Sequence, residues 1–540
     1  MPEISLKKWK LIGLVSLLLI VITSLPILFG FLSTPQNNVF LGLQFIDHAD
    51  TPVYYSWIEQ AKDGHLLFKN LFTSENEGRF IFDPFWLGVG LSAKTFSLSS
   101  FAAYQLARIF LIPIFLAVAY IFISHFFTEE KKRKLGFLFL IFASGLGWMV
   151  WLISKIFSVT PSSLPMDLWV PEAFTFSTLY NSPHFIASLT LFITVLLLTL
   201  FAIERGKKIY SLGAGFAALF LFQFHPYNAP TLAGILGLHF LFLCIENKKI
   251  RWDILKHYFI LLSISLPAII YHAWTLKNFW TRQQFALQNI CLTPGPGAAF
   301  LSYGLLLILA CFGVFVLLKK EKTEKSLFLL AWFFAQIILI YAPFNFQRRM
   351  TAGLQIVMSV LAVISLFYLY DTNSIFKKFA KKKILMWFIF IVFLGLSNYF
   401  LITDDLIYYS NPPQIYSSYL SLDKKEAMVW LKNNTAEENI ILATPVNGNL
   451  LPALSLRPVY VGQWSLTAAQ TIKTERLQYF FGTPDSQSQT RAVFLKINNI
   501  NYLFFGPEEK AVANFNPETD KNLDKVYQNG EVTIYKVKNQ

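Results

Sequence analysis

Apolar stretches of about twenty residues recur along most of this 540-residue sequence, many of them separated by only short polar connections. A helix needs ~20 predominantly apolar residues to cross the hydrocarbon core of a bilayer. Charged residues make up only 14% of the chain, whereas a soluble protein carries about a quarter. The sequence therefore predicts a polytopic α-helical membrane protein with about 11 transmembrane helices, at residues 11–32, 101–126, 135–156, 184–204, 209–224, 229–245, 257–276, 299–318, 326–343, 351–370 and 384–402.

Positive charge is concentrated between the apolar stretches and not on one soluble region. The net charge of +14 would by itself suit a nucleic-acid-binding protein. Half of the 46 Lys and Arg, however, lie in six clusters beside predicted spans, at Lys7–Lys10, Lys131–Lys134, Arg205–Lys208, Lys248–Lys256, Lys319–Lys325 and Lys377–Lys383. Because basic residues in short loops stay in the cytoplasm, we expect a multi-pass protein of the cell membrane with a cytoplasmic N-terminus and no nucleic-acid partner.

The division into domains follows from the same pattern. Residues 1–402 contain all the predicted spans and form the membrane domain, whose long connections at 33–100 and 157–183 carry no basic cluster and are expected outside. An odd number of spans also places the tail, 403–540, on the extracellular or periplasmic side. Helical and strand-like segments alternate in this tail, which is typical of a small soluble α/β domain.

Acidic residues on the outer connections are the first candidates for chemistry, because the middles of the predicted spans are nearly free of ionisable side chains. In the first connection, Asp47 and Asp50 lie three residues apart, where they suit a general base or a divalent cation. The alternative is structural, since Asp50 precedes Pro52 and suits the cap of a helix predicted over Thr51–Gly64. We expect that helix to lie on the membrane surface.

A second acidic pair lies in the connection Ser158–Pro183, which contains no Lys or Arg. Asp167 and Glu172 are surrounded there by aromatic residues in the sequence MDLWVPEAF. Burial among aromatic rings raises the pKa of a carboxyl group toward the value that a general base needs. The alternative is an aromatic belt at the membrane interface in which the two acids have no catalytic role.

Two adjacent arginines, Arg348 and Arg349, follow the ninth predicted span on the outer side. They depart from the trend that keeps basic residues inside, and a phosphate group is the natural partner of paired guanidinium groups. The alternative is that they reach toward lipid headgroups or pair with the loop acids. His184 and His225 also lie at outer helix ends and are further candidates.

Short motifs in these connections resemble the GT-C superfamily of membrane glycosyltransferases, which includes protein mannosyltransferases and aminoarabinose transferases. Asp50 with Tyr54 is similar to the Asp-x-x-x-Tyr that begins the family's first outer loop, and SWIEQAKDGHLLFKNLF resembles the surface helix that follows. FDPFWLGVGLSAKTFSLSS resembles the family's run into the second span. SGLGW, DLWVPEA and NSPHF resemble a pattern of uncharacterised bacterial members, and FQRRM resembles the arginine element before a late helix.

The resemblance implies an inverting glycosyltransferase that moves a sugar from a polyprenyl-phosphate carrier to a glycan, lipid or protein acceptor at the outer membrane face. Asp50 is the preferred base, which deprotonates the acceptor. The residues implied for the site are the carboxylates Asp50, Asp47, Asp167 and Glu172 and the substrate-binding side chains Arg348, Arg349, His225, His184 and Tyr54.

The sequence departs from the family in the first loop, where DHAD stands in place of an Asp-Glu or Asp-x-Asp pair. This leaves the base divided between Asp50 and Asp47, and it leaves open whether a divalent cation, Mg²⁺ or Mn²⁺, takes part. Two other functions stay as alternatives. A flippase or transporter of lipid-linked sugars needs a polar path through the helices, and a non-catalytic envelope scaffold needs only its outer domain.

Overall fold

Long helices form where the sequence places its apolar stretches, because main-chain N–H and C=O groups in a bilayer have to be hydrogen-bonded within the protein. The computed structural model describes residues 6–161, 163–320, 322–372, 395–413 and 417–538. Up to residue 372 the helices are α1 (Leu6–Leu32), α2 (Thr51–Lys62), α3 (Pro84–Thr95), α4 (Ser100–Phe126), α5 (Glu130–Phe142), α6 (Gly147–Phe157), α7 (Thr175–Tyr180), α8 (Pro183–Arg205), α9 (Lys208–Phe224), α10 (Asn228–Asn247), α11 (Trp252–Asn278), α12 (Trp280–Gln288), α13 (Pro296–Lys319), α14 (Glu324–Leu339) and α15 (Leu354–Thr372).

Within the described ranges, eight helical stretches are long and apolar enough to cross a membrane: Trp9–Leu32, Ser100–Phe126, Glu130–Phe157, Pro183–Arg205, Asn228–Asn247, Trp252–Asn278, Pro296–Lys319 and Gln347–Thr372. The prediction of a multi-pass helical membrane protein is confirmed. Two predicted spans form shorter helices, α9 with 17 residues and α14 with 16. The cluster Lys377–Lys383 and residues 384–394 of the last predicted span lie outside the described residues. The count of eleven therefore stays a prediction, as does the orientation of the termini.

The span predicted at 135–156 is interrupted, because α5 ends at Phe142 and α6 begins at Gly147. The carbonyl oxygens of Phe142 and Ala143 accept hydrogen bonds from the side-chain amides of Asn398 and Gln355. The N–H of Leu146 donates to a main-chain carbonyl oxygen of α13 at 2.8 Å. A broken helix is tolerated in a membrane protein where neighbouring groups satisfy the freed main chain in this way.

The chain divides into two compact units. The first, here called the helical unit, comprises the residues up to Pro26, Gln105–His272 and Ile290–Asp405. Inside it α8 packs against α9, α10 against α14, and α13 against α15. In the most apolar part of Gln347–Thr372, the stretch that contains α15, 78% of the residues are buried. This burial places α15 at the centre of the unit.

The second, here called the mixed unit, comprises Ile27–Tyr104, Ala273–Asn289 and Leu406–Gln540. It joins the first long connection to the tail. Its further elements, with the helix that leads into it, are β1 (Asn38–Phe40), α16 (Leu396–Ser410), β2 (Tyr419–Ser421), α17 (Leu422–Asn434), β3 (Ile440–Leu442), α18 (Pro445–Ser455), α19 (Gln470–Gly482), α20 (Ser488–Ile497), β4 (Ile500–Phe505), α21 (Pro507–Val512), β5 (Leu523–Gln528) and β6 (Thr533–Val537).

The tail has the α/β character that the sequence predicts. Its four-stranded sheet has the order β3-β4-β6-β5, in which β3 and β4 are parallel and the other pairs antiparallel. Two buried clusters of apolar side chains pack against the sheet, one containing Leu503 and the other Phe504, which are consecutive residues of β4 and therefore point to opposite faces. The tail also holds the first long connection, because β1 pairs antiparallel with β2 and α2 packs against α18.

The helix predicted over Thr51–Gly64 is confirmed as α2, which ends at Lys62. Its buried residues include Val53, Tyr55 and Ile58, and it packs against α3 as well as α18. Because α2 packs against two protein neighbours, its position at a membrane surface stays a prediction.

Candidate functional site

Arg348 and Arg349 lie on a short 3₁₀ turn, Gln347–Thr351, just before α15. Gln336 of α14 donates from Nε2 to two main-chain carbonyl oxygens at the end of this turn, at 2.8 Å each. At its beginning, the N–H of Arg348 donates to the carbonyl oxygen of Cys291 at 2.9 Å. The main chain that carries both arginines is therefore fixed from two sides.

Both guanidinium groups lie against aromatic rings and face one carboxylate. Arg348 is 4.5 Å from the centroid of Trp169, and Arg349 is 5.1 Å from the centroid of Tyr227. Oε1 of Glu172 lies 3.7 Å from Nε of Arg348 and 3.9 Å from Nη1 of Arg349. The Glu172 side chain is only 7% exposed, so two cations and one anion share a largely dehydrated space.

Glu172 lies on a second 3₁₀ turn, Pro171–Ala173. Oγ1 of Thr178 donates to the carbonyl oxygen of Pro171 at 2.7 Å, and the N–H of Thr175 donates to Oε1 of Gln355 at 2.6 Å. Gln355 belongs to α15 and also binds the break between α5 and α6. The same helix that follows the arginine turn therefore also fixes the loop that carries the acid.

A small recess, here called the arginine recess, opens beside Arg349 and is lined in part by Glu172, Ser188, His225 and Asn228. Its free central space of about 20 Å³ has room for about one water molecule. Nδ2 of Asn228 donates to Oγ of Ser188 at 3.1 Å and to the carbonyl oxygen of His225 at 3.4 Å. These contacts fix the orientation of the amide, whose buried Oδ1 has no hydrogen-bond partner in the part of the chain that the structure describes.

The two predicted histidines are neighbours. The ring centroids of His184 and His225 are 5.1 Å apart, and Nδ1 of His184 is 2.6 Å from Oγ of Ser182. Burial, and secondly the charge of Arg349, lowers the pKa of His225 to about 3. His225 is therefore neutral at physiological pH and offsets none of the arginine charge.

Asp167 is bound to the break between α5 and α6. Its Oδ2 accepts hydrogen bonds from the N–H groups of Gly145 and Gly147, at 3.0 Å each, and from Oγ of Ser397 at 2.6 Å. Burial raises the pKa of Asp167 to about 6, against the opposing effect of these hydrogen bonds. Such contacts are those of a carboxylate that caps α6, and the role of a base for Asp167 stays a prediction.

Asp47 and Asp50 lie at the N-terminal end of α2 in the mixed unit. Oγ1 of Thr51 donates to Oδ2 of Asp47 at 3.3 Å, and Nε2 of Gln463 donates to Oδ1 of Asp50 at 2.8 Å. Asp50 occupies the predicted cap position, yet its side chain makes no capping hydrogen bond to the helix. Tyr54, one turn further on, belongs to the same helix.

The helical unit thus brings together five of the predicted residues, which are Glu172, Arg348, Arg349, His184 and His225. Asp167 belongs to the same unit but binds the helix break, and Asp47, Asp50 and Tyr54 belong to the mixed unit.

Sequence reasoning missed three side chains that shape this region, Trp169, Tyr227 and Asn228. Tyr227 and Asn228 belong to the HPYN connection between α9 and α10, in which only His225 was predicted. A polar amide between two apolar helices was an available signal, because it needs a partner there. The contact between Trp169 and Arg348 joins distant parts of the sequence and leaves no local signal.

Among the described residues, no group of three or more His, Cys, Asp or Glu side chains is arranged to hold a metal ion. The carboxylates of Asp47 and Asp50 accept hydrogen bonds from Thr51 and Gln463. A dependence on Mg²⁺ or Mn²⁺ stays a prediction.

Several solved structures are similar to this chain in fold. The oligosaccharyltransferase of Archaeoglobus fulgidus in the apo form is 14% identical, with a TM-score of 0.54 over 91% of this chain and 69% of that chain. ArnT from Cupriavidus metallidurans bound to undecaprenyl phosphate is 12% identical, with a TM-score of 0.51 over 96% and 97%. A mutant of the arabinofuranosyltransferase AftD from Mycobacteria is 12% identical, with a TM-score of 0.50 over 98% and 41%. No protein-family model matches the sequence, and no curated protein matches it.

Proposed function

The chain has the fold of the GT-C superfamily of membrane glycosyltransferases, and we propose that it transfers a sugar from a polyprenyl-phosphate carrier to an acceptor. The acceptor is a glycan, a lipid or a protein, and the transfer inverts the anomeric carbon. The reaction takes place at the outer face of the cell membrane, with the N-terminus in the cytoplasm and the tail, 403–540, outside.

The observation that carries this proposal is the arrangement of Arg348 and Arg349 around one carboxylate. Two guanidinium groups face the Glu172 carboxylate, and neutral His225 adds no charge beside them. Guanidinium groups bind phosphate oxygens in a bidentate fashion. ArnT, which shares the fold, is bound to undecaprenyl phosphate. We therefore assign the carrier phosphate to these arginines.

In the proposed reaction a hydroxyl group of the acceptor attacks the anomeric carbon of the sugar while Asp50 removes the hydroxyl proton. The new glycosidic bond forms as the bond from that carbon to the phosphate oxygen breaks, so attack from the opposite side inverts the centre. The phosphate keeps the electron pair, and Arg348 and Arg349 stabilise the charge that it gains.

Asp50 is preferred as the base because of its surroundings in the mixed unit. Its carboxylate makes no capping hydrogen bond to α2, and the Gln463 amide orients it without adding a charge. The side chains assigned as alternative bases or helpers are Asp47, Asp167 and Glu172, and those assigned to substrate contacts are His184, His225 and Tyr54.

The proposal is tested with the purified chain in lipid nanodiscs, supplied with a panel of synthetic polyprenyl-phosphate sugars and acceptor extracts. Mass spectrometry would detect the released polyprenyl phosphate and the glycosylated acceptor. Asp50→Asn keeps the size of the side chain and an acceptor for Gln463, and it should lower the rate at least about 100-fold, the usual contribution of a general base. Asp63→Asn, at the other end of α2, where Asp63 pairs with Lys432 at 3.4 Å, is the matched control.

Full activity of Asp50→Asn would remove Asp50 from the mechanism. Movement of the lipid-linked sugar across the bilayer of proteoliposomes that contain the chain, without any covalent product, would instead support a flippase. Loss of activity in Asp50→Asn alone, with Asp63→Asn as active as wild type, supports the proposed reaction.

A further inference from the structure

The contact between Glu172 and the two arginines is loose for a buried ion pair. Its distances of 3.7 and 3.9 Å exceed the 2.7–2.9 Å of a charge-assisted hydrogen bond. Oε1 of Glu172 and Nε of Arg348 are both buried without a hydrogen-bond partner in the described ranges. The carboxylate therefore offsets charge in the arginine recess but leaves hydrogen-bonding capacity unused.

The arginines do not depend on Glu172 for their position. Their main chain is fixed by Gln336 and by the carbonyl oxygen of Cys291. Their guanidinium carbons lie over the rings of Trp169 and Tyr227. Removing the carboxylate charge should therefore leave the two guanidinium groups in place and facing the same space.

The arginine recess, where Glu172 and Arg349 meet, is too small for both the Glu172 carboxylate and a phosphate group. The free volume of about 20 Å³ in the recess has room for about one water molecule. A phosphate with several oxygen atoms has to replace the carboxylate as the partner of Arg348 and Arg349.

We infer that Glu172 is a resident anion that occupies the arginine pair when no phosphate is bound, and that competes with the phosphate group of the carrier. This inference rests on the proposed function. Because a phosphate monoester carries more charge than a diester, the released polyprenyl phosphate binds the arginines more strongly than the donor does. Competition from Glu172 therefore promotes release of this product.

The test measures binding of undecaprenyl phosphate to the full chain in nanodiscs, with inorganic phosphate and undecaprenol as separate probes. Glu172→Gln keeps the shape of the side chain and removes its charge. It should tighten binding of undecaprenyl phosphate about tenfold, the scale of one charge-assisted contact. Inhibition of transfer by undecaprenyl phosphate should strengthen by the same factor. Undecaprenol should bind both forms equally, and tighter binding of inorganic phosphate as well would show that the recess recognises the phosphate group itself.

Glu204→Gln is the matched control, because Glu204 also faces two basic side chains, His125 at 3.1 Å and Lys325 at 3.7 Å. It lies at the other end of α8 from His184, roughly 30 Å away at 1.5 Å per residue, and should leave binding unchanged. If Glu172→Gln does not fold, Glu172→Asp withdraws the carboxylate by one methylene and should tighten binding about threefold.

Unchanged or weaker binding in a folded Glu172→Gln protein would overturn the inference. A fixed structural ion pair predicts lower stability without tighter binding, and a catalytic base predicts a lower kcat without stronger product inhibition. Arg348→Gln and Arg349→Gln separate this failure from failure of the proposed function. If both arginine variants bind undecaprenyl phosphate like wild type, the phosphate site itself is wrong. If they lose binding while Glu172→Gln binds no more tightly than wild type, the phosphate site stands and the competition by Glu172 is wrong.

Discussion

Two substitutions of Asp167 can distinguish a structural role of its carboxylate from a catalytic role. Its Oδ2 accepts three hydrogen bonds, from the N–H groups of Gly145 and Gly147 and from Oγ of Ser397. Asp167→Asn retains an oxygen atom that accepts all three, whereas Asp167→Ala retains none. If the role of Asp167 is to cap α6, the Asn variant should fold and function, and the Ala variant should be strongly destabilised.

The magnitudes follow from burial and from the lost partners. Burial raises the pKa of Asp167 from 3.8 to about 6, so the site disfavours the ionised form by about 3 kcal/mol at 1.36 kcal/mol per pH unit. A neutral amide avoids this cost, which offsets its weaker hydrogen bonds, and Asp167→Asn should lie within about 1 kcal/mol of wild type. Asp167→Ala leaves three donors without a partner, and at about 1–2 kcal/mol each the loss is roughly 3 to 6 kcal/mol.

Unfolding by SDS titration in mixed micelles gives the free-energy differences, and the transfer assay gives the activity of each variant. An Asn variant as stable as wild type but at least about 100-fold slower in transfer would identify Asp167 as a base and refute the capping argument. Equal stability of the Ala and Asn variants would show that the three hydrogen bonds do not hold the break.

Two further predictions concern stability in each unit. A Cβ at Gly145 would lie 1.8 Å from a main-chain carbonyl oxygen, whereas one at Gly237 in α10 would meet nothing within 4 Å. Gly145→Ala should therefore lower the free energy of unfolding in SDS by about 3 kcal/mol or more, while Gly237→Ala should be neutral or stabilising. Equal effects of the two substitutions would contradict the close contact at the break between α5 and α6. Burial raises the pKa of Asp83 from 3.8 to about 7, so the folded state holds a proton that the unfolded state releases, and stability falls as pH rises between these values, by up to about 4 kcal/mol. Asp83→Asn should remove that slope from melting temperatures measured between about pH 5 and pH 8, and a slope equal to that of wild type would exclude Asp83 as its source.

The helical layout follows from the sequence because transmembrane helices are selected by length and hydropathy, both of which are local properties. The interruption of the span at 135–156 does not follow, because hydropathy averages over a window that includes Ser144–Trp148. What breaks the helix is a set of distant polar groups, Asp167 on the following loop and Gln355 and Asn398 on later helices. Such partners are fixed only by tertiary packing.

The candidate site, too, was predictable from the sequence only in part. Arg348 and Arg349 were predicted from their departure from the charge bias, and Glu172 from its aromatic surroundings. One alternative for the arginines was that they pair with loop acids, and the structure contains that pairing. The sequence does not predict which acid the arginines face, because Asp167 and Glu172 lie five residues apart in one loop. Only the folded loop places Asp167 at the helix break and Glu172 beside the arginines.

The contacts within the mixed unit decide which experiment can distinguish an enzyme from a non-catalytic scaffold. Deleting the chain after Thr403 would remove Gln463, which binds the Asp50 carboxylate at 2.8 Å, and Asn449, whose Nδ2 donates to the carbonyl oxygen of Ala49 at 3.2 Å. It would also remove the strand that pairs with β1. Both hypotheses therefore predict loss of function after truncation, the enzyme because the segment around Asp50 loses its supports and the scaffold because its outer domain is gone. Asp50→Asn leaves every one of these elements in place, so a loss of transfer in this variant is explained by the chemistry of the carboxylate and not by the missing domain.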